Sequence, residues 1–198
     1  HAQLIIINVT VFLALAVVYV FSTVLDFAAC FQVFHDQFSI PPKIMDFISR
    51  PWTIITYAFT HSLSDIFHIL FNMLALYWFG KLFIEYLGSD KLVAIYVLGA
   101  LAAGIVYLLV FNLVPFFKQQ ADFPGMVGAS GAVFAVMVAA ATLLPNYTFY
   151  LLFLGPVRIK YIAAFYIVLS FQGSVGSNAG GNIAHLGGAL MGFIYIKQ

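Results

Sequence analysis

The chain has 198 residues, 64% of them hydrophobic and only 8% charged, with a formal net charge of +1. A soluble domain carries about 25% charged residues, so a surface this poor in charge excludes a water-soluble fold and makes lipid the solvent. The near-neutral balance, without a basic block, excludes a nucleic-acid partner, and the single cysteine, Cys30, excludes an intramolecular disulfide.

A helix needs ~20 apolar residues to cross a bilayer, with a range of about 17 to 25. Six segments approach that. Residues 4–25 hold no charge; 66–84 hold only His68 and Lys81; 92–114 and 127–144 hold none. Residues 159–171 hold only Lys160 and are short unless 149–156 contribute, and 182–196 hold only His185. Helices satisfy their own backbone in lipid. The expectation is an all-α membrane protein: one domain over residues 1–198 with six transmembrane helices. The chain begins at His1, not Met, and stops inside an apolar segment, so both ends read as trimmed.

Basic residues set the orientation. Connections after the first, third and fifth segments carry Lys43, Arg50 and Lys118, while the other side carries Lys81, Lys91, Arg158, Lys160 and Lys197. The positive-inside rule places both termini in the cytoplasm. The expected location is the inner (cell) membrane of a prokaryote, with lipid as a partner throughout. Asp26, Asp36, Asp46, Asp65 and Asp122 then fall on the outer side. The one long connection, 26–65, mixes Phe31, Phe34, Phe38, Phe47 and Trp52 with Asp36, Lys43 and Arg50, broken by Pro41, Pro42 and Pro51. Such a segment suits the membrane interface.

Polar groups inside spans are costly and tend to face the bundle interior or a water-filled cavity. The second segment contains His68 and Asn72, four apart and therefore on one helix face. The fourth contains Ser130, between Gly128 and Gly131 in "MVGASGAVF", and the sixth contains His185. If these segments run outside to inside, Ser130 and His185 each lie about four residues in, or ~6 Å deep, near the level of His68. Ala184, Gly188 and Gly192 recur every four residues opposite Gly131 and Ala135, and small residues at that spacing let helix backbones approach in membranes. A serine nucleophile needs a base and oxyanion donors. His185 is the candidate base. The Ser130 N–H near a helix start, with His68 and Asn72, are the candidate donors. No acid in these segments orients His185, so the unit is a dyad.

Each residue has a plainer explanation. Ser130 could be a small helix contact, His185 a core histidine, Asn72 a helix–helix lock; their common level favours function. His35 and His61 read as surface or interface residues, and Cys30 as a buried or interfacial thiol. The stretch "GSVGSNAGG" at 173–181 reads as a flexible connection that gates the site. No His-Glu-x-x-His pattern points to a metal, and nothing calls for a cofactor.

"GASG" around Ser130, "HILFN" from His68 to Asn72 and "AHLGGALMG" from Ala184 to Gly192 together resemble the rhomboid family of intramembrane serine proteases, over residues 52–192. The resemblance implies a six-helix rhomboid-like bundle with Ser130 as nucleophile and His185 as general base. His68, Asn72, Gly128 and the Ser130 N–H would line the oxyanion and substrate-binding site, and Phe134 would stack on the base. It implies single-span transmembrane substrates cut near the outer face. The sequence departs from the family where Trp52 is followed by Thr53, with Arg50 earlier, and where Ile84 holds a place often given to Glu, with Glu85 next to it. The alternative is a non-catalytic relative that binds and delivers transmembrane helices.

Overall fold

The computed structural model describes residues 1–119 and 125–198; Asp122 lies outside the described residues. The chain opens with α1 (Ala2–Val24). The first connection then folds into α2 (Ala28–Asp36), α3 (Ile44–Ser49), α4 (Thr53–Thr56) and a 3₁₀ turn (Tyr57–Phe59). Asp65 caps the next helix by accepting from the Phe67 N–H, satisfying one of the donors a helix start leaves open. That helix is α5 (Ile66–Leu87), followed by α6 (Ser89–Leu113) and the short α7 (Pro115–Lys118). Next come α8 (Ser130–Leu143), strands β1 (Thr148–Leu151) and β2 (Gly155–Arg158), α9 (Ile159–Gly173) and α10 (Ala179–Lys197).

All six apolar segments are helical, but among the described residues only α1, α5 and α6 combine the length and apolar composition for crossing a membrane. α8 and α9 are apolar and shorter, at 14 and 15 residues. The reason is local. Residues 148–158, which the fifth segment would need to reach full length, form an antiparallel hairpin pairing Thr148 with Arg158 and Leu151 with Gly155. Its tip exposes Leu152, Phe153 and Leu154. The hairpin is a departure from the all-α expectation.

The core is built on α8, whose residues from Gly131 to Ala141 are all buried. Small residues make this possible. Gly188 and Gly192 of α10 lie directly on the backbone of Gly131 and Ala135, and any side chain at either would strike a carbonyl there. This is the seam read from the sequence. The structure adds a third member: Gly99 of α6 lies on Ala135, and a Cβ on Gly131 would sit 2.5 Å from Ala103. The backbones of three helices thus meet closely around the start of α8.

The first connection is a fixed scaffold. Arg50 donates to the Asp36 carbonyl at 2.6 Å, the Trp52 indole to Gln37 at 2.8 Å and Thr56 to Phe38 at 3.2 Å. Tyr57 donates from its hydroxyl to Ala100 of α6 at 2.7 Å, and Tyr96 of α6 donates back to Ala58 at 2.9 Å. α1 joins the same network through buried Asn8, whose amide donates to the Tyr96 hydroxyl at 3.1 Å.

Candidate active site

Ser130 is the first residue of α8 and is half-buried. Its N–H is one of the four at a helix start with no partner inside the helix. The chain leading to it is held by the first connection. Ile40 and Met126 exchange backbone hydrogen bonds at 3.0 and 2.9 Å, and the Gly128 N–H donates to Tyr57 at 2.9 Å. Gly128 adopts φ +135°, a conformation costly for a residue with a side chain. A Cβ there would also lie 2.9 Å from His68 Nε2 and 3.6 Å from Ser130 Oγ. Gly128 is therefore needed for both its backbone angle and its bareness. A side chain there would crowd His68 Nε2 and stand against the serine hydroxyl.

His185 is the seventh residue of α10. Its ring stacks on Phe134 with centroids 4.1 Å apart and planes within 8°. Phe134 lies one turn beyond Ser130, so the imidazole lies over the helix face that begins with the serine. On its other edge, Nδ1 is 3.0 Å from the hydroxyl of Ser170 on α9, which is buried. Among the described residues, no hydrogen bond joins Ser130 to His185.

The helices begin at Ser130 and Ala179, not at the apolar-segment starts 127 and 182. Ser130 is first in its helix, His68 third and His185 seventh. What brings them together is packing register: Gly188 on Gly131, with the Ala184 carbonyl 3.5 Å from a Cβ on Gly131, fixes how far α10 is slid along α8. Asn72 is buried one turn along from His68, and its amide donates to the His68 carbonyl at 2.8 Å. That bond stays within α5.

His61 is not at the surface. It is fully buried beside His68, ring centroids 5.2 Å apart, and neither ring nitrogen has a hydrogen-bond partner among the described residues. Burial, reinforced by His68, pushes its pKa down to about 4. The physical reason is that the chain from Tyr57 to His61 turns inward against α5 and α6 before α5 begins, anchored by Tyr57 and Tyr96. Cys30 is exposed on α2. The stretch at 173–181 is helical at both ends: Gly173 ends α9 and Ala179 begins α10. Asn182 ties the short link together by donating to the Gly173 carbonyl at 3.1 Å and the Asn178 carbonyl at 2.9 Å. A long flexible gate is thereby reduced to residues 174–178.

Two buried polar residues within apolar segments, Ser170 and Asn8, escaped the sequence reading. The rule that found Ser130 finds them too once hydroxyls and amides in the first and fifth segments are counted.

A helical membrane protein with a serine at a helix start and a stacked histidine is a defined class, and comparison narrows it. Residues 49–197 match the Rhomboid domain family model. The chain is 34% identical over 180 residues to RHOMBOID-like protein 12, mitochondrial, of Arabidopsis thaliana, covering 82% of this chain and 52% of that protein. It is 31% identical over 153 residues to Rhomboid protein 1, mitochondrial, of Saccharomyces cerevisiae, covering 76% and 42%. It is 35% identical over 86 residues to Rhomboid protease GlpG of Klebsiella pneumoniae, covering 43% and 26%. The chain spans about half or less of the length of these relatives. It is an integral membrane protein and belongs to the rhomboid family.

Proposed function

We propose that this protein is an intramembrane serine endopeptidase acting on single-span transmembrane proteins. One observation carries the reading: at Gly128, His68 from α5 faces Ser130, the first residue of α8, and His185 of α10 is stacked on Phe134 one turn away. Ser130 Oγ attacks the scissile carbonyl carbon as its proton passes to His185 Nε2. The carbonyl oxygen becomes an oxyanion, for which the Ser130 N–H and His68 Nε2 are the nearest donors over the bare Gly128 backbone, with the second amide hydrogen of Asn72 behind them. His185 returns the proton to the leaving amine nitrogen as the C–N bond breaks. Water then cleaves the acyl-enzyme by the same route in reverse. Each step uses only protein groups and water.

The architecture we propose is six spans, with α8, α9 and α10 crossing beside α1, α5 and α6 and both termini on one side of the membrane. α8 is short for a bilayer but is enclosed by its neighbours, while α9, whose outer face is exposed, is accommodated by local thinning of the bilayer. The relatives named mitochondrial favour a mitochondrial membrane over the prokaryotic cell membrane expected from sequence.

The test is cleavage of a single-span helical substrate in proteoliposomes. Wild type cuts it; folded Ser130→Ala and His185→Ala do not. Cutting that persists in Ser130→Ala overturns the assignment. The missing Ser130–His185 hydrogen bond favours one other reading, a relative that binds transmembrane helices without cutting them. Unbound active sites are often loose, so catalysis remains the better reading. Wild type that retains a substrate helix uncut would reverse that choice.

A further inference from the structure

The bond from Ser170 to His185 has a chemical consequence that rests on the protease reading. A neutral imidazole carries one N–H and one lone pair, and the hydrogen bond made by one nitrogen decides which is which. Ser170 Oγ lies 3.0 Å from Nδ1 and is shielded, with its residue 3% exposed. If Nδ1–H donates to this oxygen, the lone pair falls on Nε2, the nitrogen that must take the Ser130 proton. If the hydroxyl donates instead, Nε2 carries the hydrogen and cannot act as base.

We propose that Ser170 is a positioning residue that accepts the Nδ1–H of His185 and so fixes both the tautomer and the direction of the base. A second grip comes from the same helix. Tyr166, one turn before Ser170, meets the edge of Phe134 with centroids 6.2 Å apart and planes at 83°, and Phe134 stacks on His185. α9 thus holds the imidazole through its edge by Ser170 and through its face by way of Tyr166 and Phe134. The unit is serine–histidine–serine, with the third member on a helix outside the α8–α10 seam.

The proton balance is simple. The Ser130 proton moves to Nε2 as the Oγ–C bond forms. The resulting imidazolium keeps its Nδ1–H on Ser170 and gives the Nε2 proton to the leaving nitrogen. Ser170 neither gains nor loses a proton. An uncharged acceptor does this without the desolvation cost that a carboxylate would carry in the bundle. It stabilises the imidazolium less than a carboxylate would, so its removal costs about one hydrogen bond, roughly 10-fold in rate.

The experiment combines ¹⁵N-histidine NMR of the whole protein in micelles with cleavage kinetics and fluorophosphonate labelling. The His185 signals are assigned by their absence in His185→Gln. The expected result is an Nδ1-protonated ring in wild type and in Ser170→Thr, and a mixed or Nε2-protonated ring in Ser170→Ala. Ser170→Ala lowers kcat about 10-fold at unchanged KM, and Ser170→Thr restores it. An Nε2-protonated wild type, or a tautomer indifferent to Ser170→Ala, overturns the proposal. A labelled, active wild type with an indifferent Ser170→Ala sinks Ser170 alone. A wild type that neither labels nor cleaves sinks the protease reading, and the catalytic meaning of Ser170 with it.

Discussion

α1 and α8 are both almost wholly apolar helices, and yet they live in different surroundings. α1 buries only Leu4, Asn8 and Leu15 of its 23 residues, whereas α8 buries everything from Gly131 to Ala141. Hydrophobicity does not separate them, because lipid is as apolar as any side chain and no hydrophobic force draws one helix into the centre. Side-chain size does. α8 offers Gly131, Ala132, Ala135 and a run of alanines to Gly99 on one neighbour and Gly188 and Gly192 on another. α1 offers Ile6, Leu13, Val17 and Phe21, large and facing outward. Lacking a small-residue seam, α1 is instead registered by a polar pin, Asn8 on Tyr96. The lesson is that in this fold small residues place the central helix, and the central helix begins at Ser130, the proposed nucleophile.

The sharpest way to separate chemistry from packing is a change on α8 that keeps its residue small. Ser130→Ala should leave the fold intact and remove activity by on the order of 10⁴-fold or more. His185→Ala and the double variant should lose a similar amount, since members of one catalytic unit are not additive. Single-turnover cleavage by the three variants checks this, and losses that multiply in the double variant count against a shared unit.

Asn72→Ala comes next, with a fall in kcat of ~10²–10³ if its free amide hydrogen reaches the oxyanion. Its known bond lies within its own helix, so unfolding should shift little. Marked destabilisation with normal turnover by the folded fraction would return Asn72 to packing.

The comparison itself is broken or upheld by size changes on the two helices' surroundings. Gly188→Val drives its Cβ into the Gly131 carbonyl and should cost about 1–3 kcal/mol or more. Leu13→Ala on the lipid-facing side of α1, where Leu13 is 56% exposed, should stay within about 0.5 kcal/mol. Equal effects by thermal unfolding in the same detergent would end the size explanation.

A further effect, confined to acid pH, comes from His61. In the unfolded chain it takes a proton near its ordinary 6.5, but in the fold only near about 4. Its neutral form is the one the fold accommodates. Its contribution is therefore complete above pH 6.5 and drains away as pH falls toward 4. Wild type should lose thermal stability across that window more steeply than His61→Gln. Parallel curves would mean that His61 gains a partner on protonation.

The helical framework and the seam were legible because they depend on composition and four-residue spacing, which a linear chain displays. Ser130, His185, His68 and Asn72 stood out as candidates because each is a polar residue in an apolar run. What was hidden depends on folding back. The hairpin at 148–158 takes residues that the fifth span would need to reach full length, and a glycine at φ +69° opens its second strand. His61 looks like a loop residue until the Tyr57 and Tyr96 hydroxyls pull its segment inward. Ser170 reads as an incidental hydroxyl until α9 is laid against α10. Helix starts differ from the apolar-segment starts by a few residues, because helix ends follow local backbone geometry that hydropathy does not display, and the register of α10 on α8 is set by glycine contacts.

Covalent labelling by a fluorophosphonate tests the central claim most directly, because it asks only whether Ser130 is nucleophilic. The detergent-solubilised wild type should form a stable adduct, with the mass shift mapping to the peptide containing Ser130. Ser130→Ala should form none, and His185→Ala should label far more slowly. A folded wild type that stays unlabelled at every pH where its histidines are neutral, or labelling that survives in Ser130→Ala, would contradict it.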